Sequence, residues 1–500
     1  VPTATPLPAD TPAWFYDALL YEVFVRSFYD SDGDGVGDLA GVTAQLDYLA
    51  SLGANAIWLM PIHPSPSYHG YDVTDYFDIN PDYGTLDDFR TLVQEAHARD
   101  IRVIIDFVIN HTSNQAPFFV DAVADPDSEY ADWFNWNNEG HTRWEGFAGL
   151  DFMPTLNHDS KGVQEFVKEV ARFWLDLDGD GDYGDGVDGF RCDVAVGPPH
   201  RTWKMLRQEV KALNPEALLL GEAWLRNPVD MRNYFNQEFD ALFDFPLYHT
   251  LAGDHDANGD GLLNGQVRAG LVHGPILSLY HYYAHAQMVR FINNHDTNRA
   301  MTDLQGDADK ARAAATLLLT LPSTPMIYYG EEIGMRGQKG SGPIYDELRR
   351  EPMDWHAAEE GAGMTNWFKP SNRNNAPQDG VSVEEQTDDP GSLLNHYRQL
   401  IALRHDYAAL RAGGYQKAAL TGNPDTQAAF WRWDEDALIL VVLNLSDTSA
   451  TTEVDLTQRP LHFAGAVTDL LTGQLLPAPE GDTYTIQLDA WGAQVLRWSP

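Results

Sequence analysis

From Leu19 onward, short apolar runs alternate with longer stretches whose apolar positions recur every three or four residues. The runs LLYEVFV (19–25), NAIWLM (55–60), RVIIDFV (102–108), VDGFRCDV (187–194), ALLLGEA (217–223), FDALFDF (239–245), VRFINNH (289–295) and PMIYYG (325–330) read as strands. Helix-period stretches lie between them, among them 85–100, 162–177 and 201–213. This order is the signature of parallel βα units and predicts an α/β fold, a closed (β/α)8 TIM barrel. One connection is too long for a single helix: about eighty residues separate the third and fourth strands, so a small inserted domain is expected there. After Tyr415 the pattern becomes short alternating segments without a helical period, which predicts a C-terminal antiparallel β domain. The expected boundaries are a tether at 1–12, barrel at 13–109 and 175–414, inserted domain at 110–174, and C-terminal β domain at 415–500.

Charge narrows the partners. Asp and Glu outnumber Lys and Arg 74 to 33, a formal net charge of −41. Such a surface repels phosphate backbones and anionic membranes, so a neutral or cationic ligand is expected and no nucleic acid. No apolar run reaches membrane-spanning length. The single cysteine, Cys192, excludes an intrachain disulfide. The opening VPTATPLPADTPAW reads as an exposed tether, and with the calcium-type loops described below it points to an extracellular or periplasmic, secreted protein. A monomer is expected.

In a parallel barrel, reactive groups come from the C-terminal strand ends, because the following loops all open on that face. Here those ends are polar: DFVINH with Asp106, Asn110 and His111, GFRCD with Arg191 and Asp193, GEAW with Glu222, and NNHD with His295 and Asp296. Alternation puts Arg191 and Asp193 on one side and Cys192 on the other. The arginine would keep Asp193 ionised, whereas Glu222, crowded by acids and desolvated, would hold a proton. Any one of these acids alone reads as a cap or an ion-pair partner. Together they read as the two opposed carboxyl tasks of a glycosidase.

These four segments, in this order and on these strands, resemble the signature segments of the α-amylase family of glycoside hydrolases over nearly the whole chain. The resemblance implies Asp193 as nucleophile, Glu222 as acid/base and Asp296 as the carboxylate that stabilises the distorted sugar. It also implies His111, Arg191 and His295 as hydrogen-bonding residues of the cleavage subsite and Tyr71 as its stacking platform. Asp106 and Trp224 complete the expected substrate-contacting set, Trp224 reading equally as a leaving-group platform or as rim packing. Cys192 is a packing residue without chemistry.

DSDGDGVGDL (30–39) carries Asp30, Asp32, Asp34 and Asp38 with the Val36 carbonyl between them, a spacing suited to a hard cation. A similar segment binds calcium in oligo-1,6-glucosidase-like relatives, so Ca2+ is the expected cofactor. The acids Asp176, Asp178, Asp180, Asp182 and Asp185, and those of DHDANGDGLL (254–263), read equally as metal loops or solvated turns. A second calcium site known in many α-amylases uses the Asn of the third-strand motif and a Lys-His pair. Here Val196 and Gly197 replace that pair, which argues against such a site at Asn110.

Within the family, MPTLN (153–157) is closest to the intermediate group between oligo-1,6-glucosidases and neopullulanases. Tyr68 and His69 stand where exo-acting α-glucosidases carry an Asp that grips the non-reducing end, which points to an open cleft. Val194, directly after Asp193, resembles instead enzymes with α-1,6 preference. The expected function is retaining endo-hydrolysis of α-1,4 bonds in starch and malto-oligosaccharides, with transglycosylation where a sugar meets the glycosyl enzyme before water. The alternatives are an exo-α-glucosidase or oligo-1,6-glucosidase, a trehalose synthase, or a catalytically inactive carbohydrate-binding subunit.

Overall fold

The computed structural model describes residues 11–253, 260–282, 287–341, 345–368, 373–421, 425–462 and 465–498. The expected tether lies outside the described residues save for positions 11 and 12, as do Asp254, Asp256 and Asn258 of the third acidic segment. All eight expected strands form and close in chain order into one barrel. They are β1 (Leu20–Val23), β2 (Ala56–Leu59), β3 (Arg102–Phe107), β4 (Gly189–Cys192), β5 (Leu218–Gly221), β6 (Ala241–Phe243), β7 (Gln287–Arg290) and β8 (Thr324–Tyr328). Neighbouring strands pair in parallel, β1 with β8 included.

Side-chain alternation sorts each strand into two apolar sets. Leu20, Trp58, Ile104, Leu220, Phe243, Val289 and Met326 fill the barrel interior. Tyr21, Leu59, Val103, Ile105, Phe190, Cys192 and Leu219 pack outward with the helices, as expected for Cys192. Two residues further along, the inward register turns charged: Glu22 follows Leu20, Asp106 follows Ile104 and Arg191 follows Gly189, all buried. The interior is therefore apolar at the base and ionic at the mouth.

Helices Leu86–His97, Lys161–Leu175 and His200–Leu213 occupy the expected stretches. The first starts at a reciprocal Thr85–Asp88 cap, and its buried Phe89, Leu92, Val93 and Ala96 keep the helical spacing. Between β3 and β4, residues 110–160 make an excursion of short helices and isolated bridges. Trp133, Trp136 and Trp144 pack there on Phe118 and Phe119 and stay half-buried. Helix Lys161–Leu175 then returns to the barrel, Trp174 meeting His63 and Phe89. The C-terminal domain holds a six-stranded antiparallel sheet, built on Gln427–Trp433, Leu438–Asn444 and Ala493–Trp498, and a three-stranded one. Arg432 ties it to the barrel by donating to the Thr320 carbonyl (2.8 Å). No helix among the described residues is long and apolar enough to cross a membrane.

Candidate active site

Arg191 is the hub of the barrel mouth. Its Nη1 meets Asp106 Oδ1 at 2.8 Å and Asp193 Oδ1 at 2.7 Å, and its Nη2 meets Glu222 Oε1 at 2.5 Å. The guanidinium is 1% exposed and lies over the rings of Trp58 and Tyr71. One buried cation thus meets three carboxyls directly. The planar fork also fixes the two catalytic candidates relative to each other, a geometry that lysine would not impose.

The two carboxyls are held differently. Asp193 Oδ2 is buried with no protein partner, so one oxygen remains for a ligand. Glu222 Oε2 accepts from the Val194 N–H at 3.0 Å. Val194 has φ 46°, rare for a β-branched residue, and this turn is what aims its N–H back at Glu222. Burial raises the Glu222 carboxyl to about 7, Arg191 opposing the rise and Asp193 and Asp296 adding to it. This is the direction that a proton-donating role for Glu222 requires.

The rest of the predicted set surrounds this pair. Tyr71 OH donates to Asp106 Oδ2 (3.2 Å) and lies 2.8 Å from His295 Nε2, with its ring stacked on the imidazole. Burial raises Asp106 to about 6 against the pull of Arg191. Burial alone would lower His295, but Asp296 and Glu22 outweigh it and carry it up to about 10. Asp296 is 48% exposed at the rim. Partial desolvation would raise its carboxyl, and His295 and Arg350 reverse this and hold it well below the usual range. His111 is lowered by burial, stacks on Phe147 (4.7 Å) and leaves Nε2 without a protein partner. Trp224, 43% exposed, lines a crevice of about 400 Å³ with Phe147, Val194 and Arg201.

Sequence reasoning missed three neighbours. Arg350, in the loop after β8, donates from Nη2 to Asp296 Oδ1 (3.1 Å) and from Nε to the His295 carbonyl (3.2 Å). Its signal was a pair of arginines, Arg349 and Arg350, in an acid-rich chain. Phe147 carried no signal beyond its place in the insertion. Glu22 was visible as a lone charge at an inward strand position, 2.6 Å from His295 Nδ1.

In the first acidic loop, Asp30, Asp32 and Asp38 bring one carboxylate oxygen each within 4.8 Å of one another. Gly33 and Gly35, with φ 85° and 97°, allow the tight loop, and their N–H groups donate to Asp30. Asp34 is not one of these three; its Oδ1 accepts from Val36 N–H at 2.8 Å. An all-oxygen cluster of this kind suits a hard cation. Asp176, Asp178 and Asp185 form a second such group. The Asn110 side chain hydrogen-bonds His111 (3.2 Å) and abuts Gly197, where an added Cβ would lie 2.0 Å from its Oδ1.

A parallel barrel carrying three carboxyls and a bridging arginine at its C-terminal mouth is the framework of a glycoside hydrolase. Residues 22–413 match the family of the α-amylase catalytic domain, and the chain belongs to that family. It is 37% identical over 452 residues to Alpha-amylase 3 of Dictyoglomus thermophilum, covering 87% of this chain and 85% of that protein. It is 31% identical to the Trehalose synthase/amylase TreS of Mycobacterium tuberculosis, covering 97% of this chain and 92% of that one. Among solved structures, the α-amylase from H. orenii superposes with a TM-score of 0.79 at 35% identity, covering 96% and 99%. The protein is thus a glycoside hydrolase of the α-amylase family acting on α-glucans.

Proposed function

We propose that the chain is a retaining, endo-acting hydrolase of α-1,4-glucosidic bonds in starch and malto-oligosaccharides. The observation that carries this reading is the Arg191 fork, which holds Asp193 with one free oxygen beside a Glu222 raised to about 7. Asp193 Oδ2 forms the bond to C1 as the glycosidic C1–O bond breaks and Glu222 gives its proton to the departing oxygen. Glu222 then takes a proton from water, whose oxygen bonds to C1 as the Asp193 ester bond breaks. Two inversions retain the anomer, and a sugar hydroxyl in place of water gives transglycosylation. Asp296, His295, His111 and Tyr71 bind the sugar ring and its hydroxyls, and Asp296 offsets the developing positive charge.

Endo action is supported at the other end of the cleft. Tyr68 stacks on Trp367 (5.3 Å, 20°) with the Arg350 guanidinium 5.8 Å from its ring centre, so this position offers an aromatic surface to a sugar chain. The test is the product pattern from maltoheptaose and from the same oligomer blocked at its non-reducing end. Internal cleavage of both is expected. Attack on the free oligomer alone, with glucose released, would make the enzyme an exo-α-glucosidase, and maltose converted to an isomer without hydrolysis would make it a trehalose synthase.

The proposal includes calcium in the first acidic loop, held by Asp30, Asp32 and Asp38 with Asp34 and the Val36 carbonyl as further oxygen donors. The ion would neutralise crowded carboxylates and lock the loop after β1. Chelation with EGTA is therefore expected to lower the melting temperature, removing about 3 kcal/mol if the ion stands at a hundredfold excess over its Kd. A thermal unfolding scan with and without EGTA checks this, and an unchanged midpoint would remove calcium from the account. Secretion belongs to the same proposal, on the strength of these calcium-type loops.

A further inference from the structure

Glu22 is a carboxyl on the first barrel strand, 0% exposed, in a position the proposed chemistry does not use. Its Oε1 lies 2.6 Å from His295 Nδ1, and its Oε2 has no protein partner. Taking a carboxylate fully out of water costs several kcal/mol unless a cation faces it. The groups facing His295 are Glu22 from β1, Tyr71 from the loop after β2, Asp106 from β3, Arg191 from β4, Asp296 beside it and Arg350 from the loop after β8; Tyr328 of β8 adjoins Glu22. Both cations in that set are spoken for, Arg191 by its three carboxyls and Arg350 by Asp296. The imidazole is the group in direct contact with Glu22 that can carry a positive charge.

We propose that Glu22 is a positioning residue that keeps His295 doubly protonated and so sets the direction of the hydrogen-bond chain behind the catalytic carboxyls. With protons on both nitrogens, Nδ1–H is committed to Glu22 and Nε2–H points to Tyr71 OH (2.8 Å) and Asp296 Oδ2 (3.2 Å). Tyr71 OH then accepts from His295, and its own proton goes to Asp106 Oδ2, whose other oxygen takes Arg191. A neutral imidazole with a bare Nε2 would draw the Tyr71 proton to itself and leave Asp106 Oδ2 unpaired. The preference of His295 for its charged form agrees with this direction. Glu22 touches no substrate and acts through His295 and the ordered chain.

The inference builds on the reading of His295 as a sugar contact, but its first test does not depend on activity. In the full-length protein labelled with 15N-histidine, with His295 assigned by difference from His295→Asn, both ring nitrogens are expected to stay protonated to about pH 9. A singly protonated tautomer at neutral pH would overturn the proposal. In Glu22→Gln the pH at which His295 loses its proton should fall by at least about one unit, tenfold in proton affinity. With α-maltosyl fluoride, whose leaving group needs no proton from Glu222, the alkaline limb of kcat/KM should move to lower pH by the same amount. A Glu22→Gln enzyme that is slower at every pH with that limb unmoved would mark Glu22 as packing only. Should this variant fail to fold, the labelled wild-type protein still decides.

Discussion

Glu222→Gln is expected to lower kcat/KM on maltoheptaose about a thousand- to ten-thousandfold. Glu222 works as an acid only while it carries its proton. Burial places that proton's loss at about 7, so wild-type activity should decline as pH rises through that value. In the Gln variant this limb disappears, because the amide does not titrate. The shape survives, but the amide offers one acceptor oxygen to two donors, the Val194 N–H and Arg191 Nη2, so one of those two contacts is lost. On a maltoside with a strongly acidic phenol as leaving group, formation of the glycosyl enzyme needs no proton, so that step should be nearly spared. The second step then lacks its base, and added azide should intercept the intermediate as α-maltosyl azide. Equal losses on natural and activated substrates, with the pH profile unchanged, would sink the assignment.

The barrel was legible because its strands are buried on both faces and stand out as apolar runs between helical periods. The ends of those runs were less legible. FDALFDF reads as one strand over 239–245, yet β6 spans only Ala241–Phe243 because its flanking acids have other tasks. Asp240 accepts from the Leu219 N–H, and Asp244 accepts from the Leu247 N–H and caps the helix Phe245–Leu251. A charged residue at a strand end looks alike in sequence whether it caps, braces or reacts.

The same ambiguity divides the site. Arg191, Asp193, Glu222 and Asp296 were readable because each sits in a motif at a strand end. Arg350 was not, because it arrives from a loop with no period, and only the folded chain sets it against Asp296. Glu22 was visible as a lone charge in an otherwise apolar run, but its meaning depends on a partner 273 residues away. Trp367 stacks on Tyr68 and donates from Nε1 to Ser27 Oγ at 2.8 Å, so it serves both packing and cleft. Contacts across the barrel mouth have no local signature, and they are what turns a list of polar residues into a site.

Asp193→Ala is expected to be the most damaging single change, with kcat reduced about a hundred-thousandfold. No other carboxyl replaces it: Asp106 is enclosed behind Tyr71 and Arg191, and Asp296 is paired with Arg350 and His295. Stability should not follow activity. Arg191 keeps Asp106 and Glu222, so no buried cation is left unpaired, and one of several crowded negative charges is gone. The melting temperature should therefore hold or rise, the usual relation where a site is built against stability. The Glu222 carboxyl should also fall below about 7, because Asp193 contributes to its rise. The decisive measurement is chemical rescue. Azide occupying the space vacated by the carboxylate would attack C1 of an activated α-maltoside from the face Asp193 used and give β-maltosyl azide. The opposite anomer, or no rescue with a folded variant, would mean that Asp193 does not form the covalent bond; with the β product here and the α product from Glu222→Gln, the two carboxyls on the Arg191 fork would be assigned to opposite faces of the sugar.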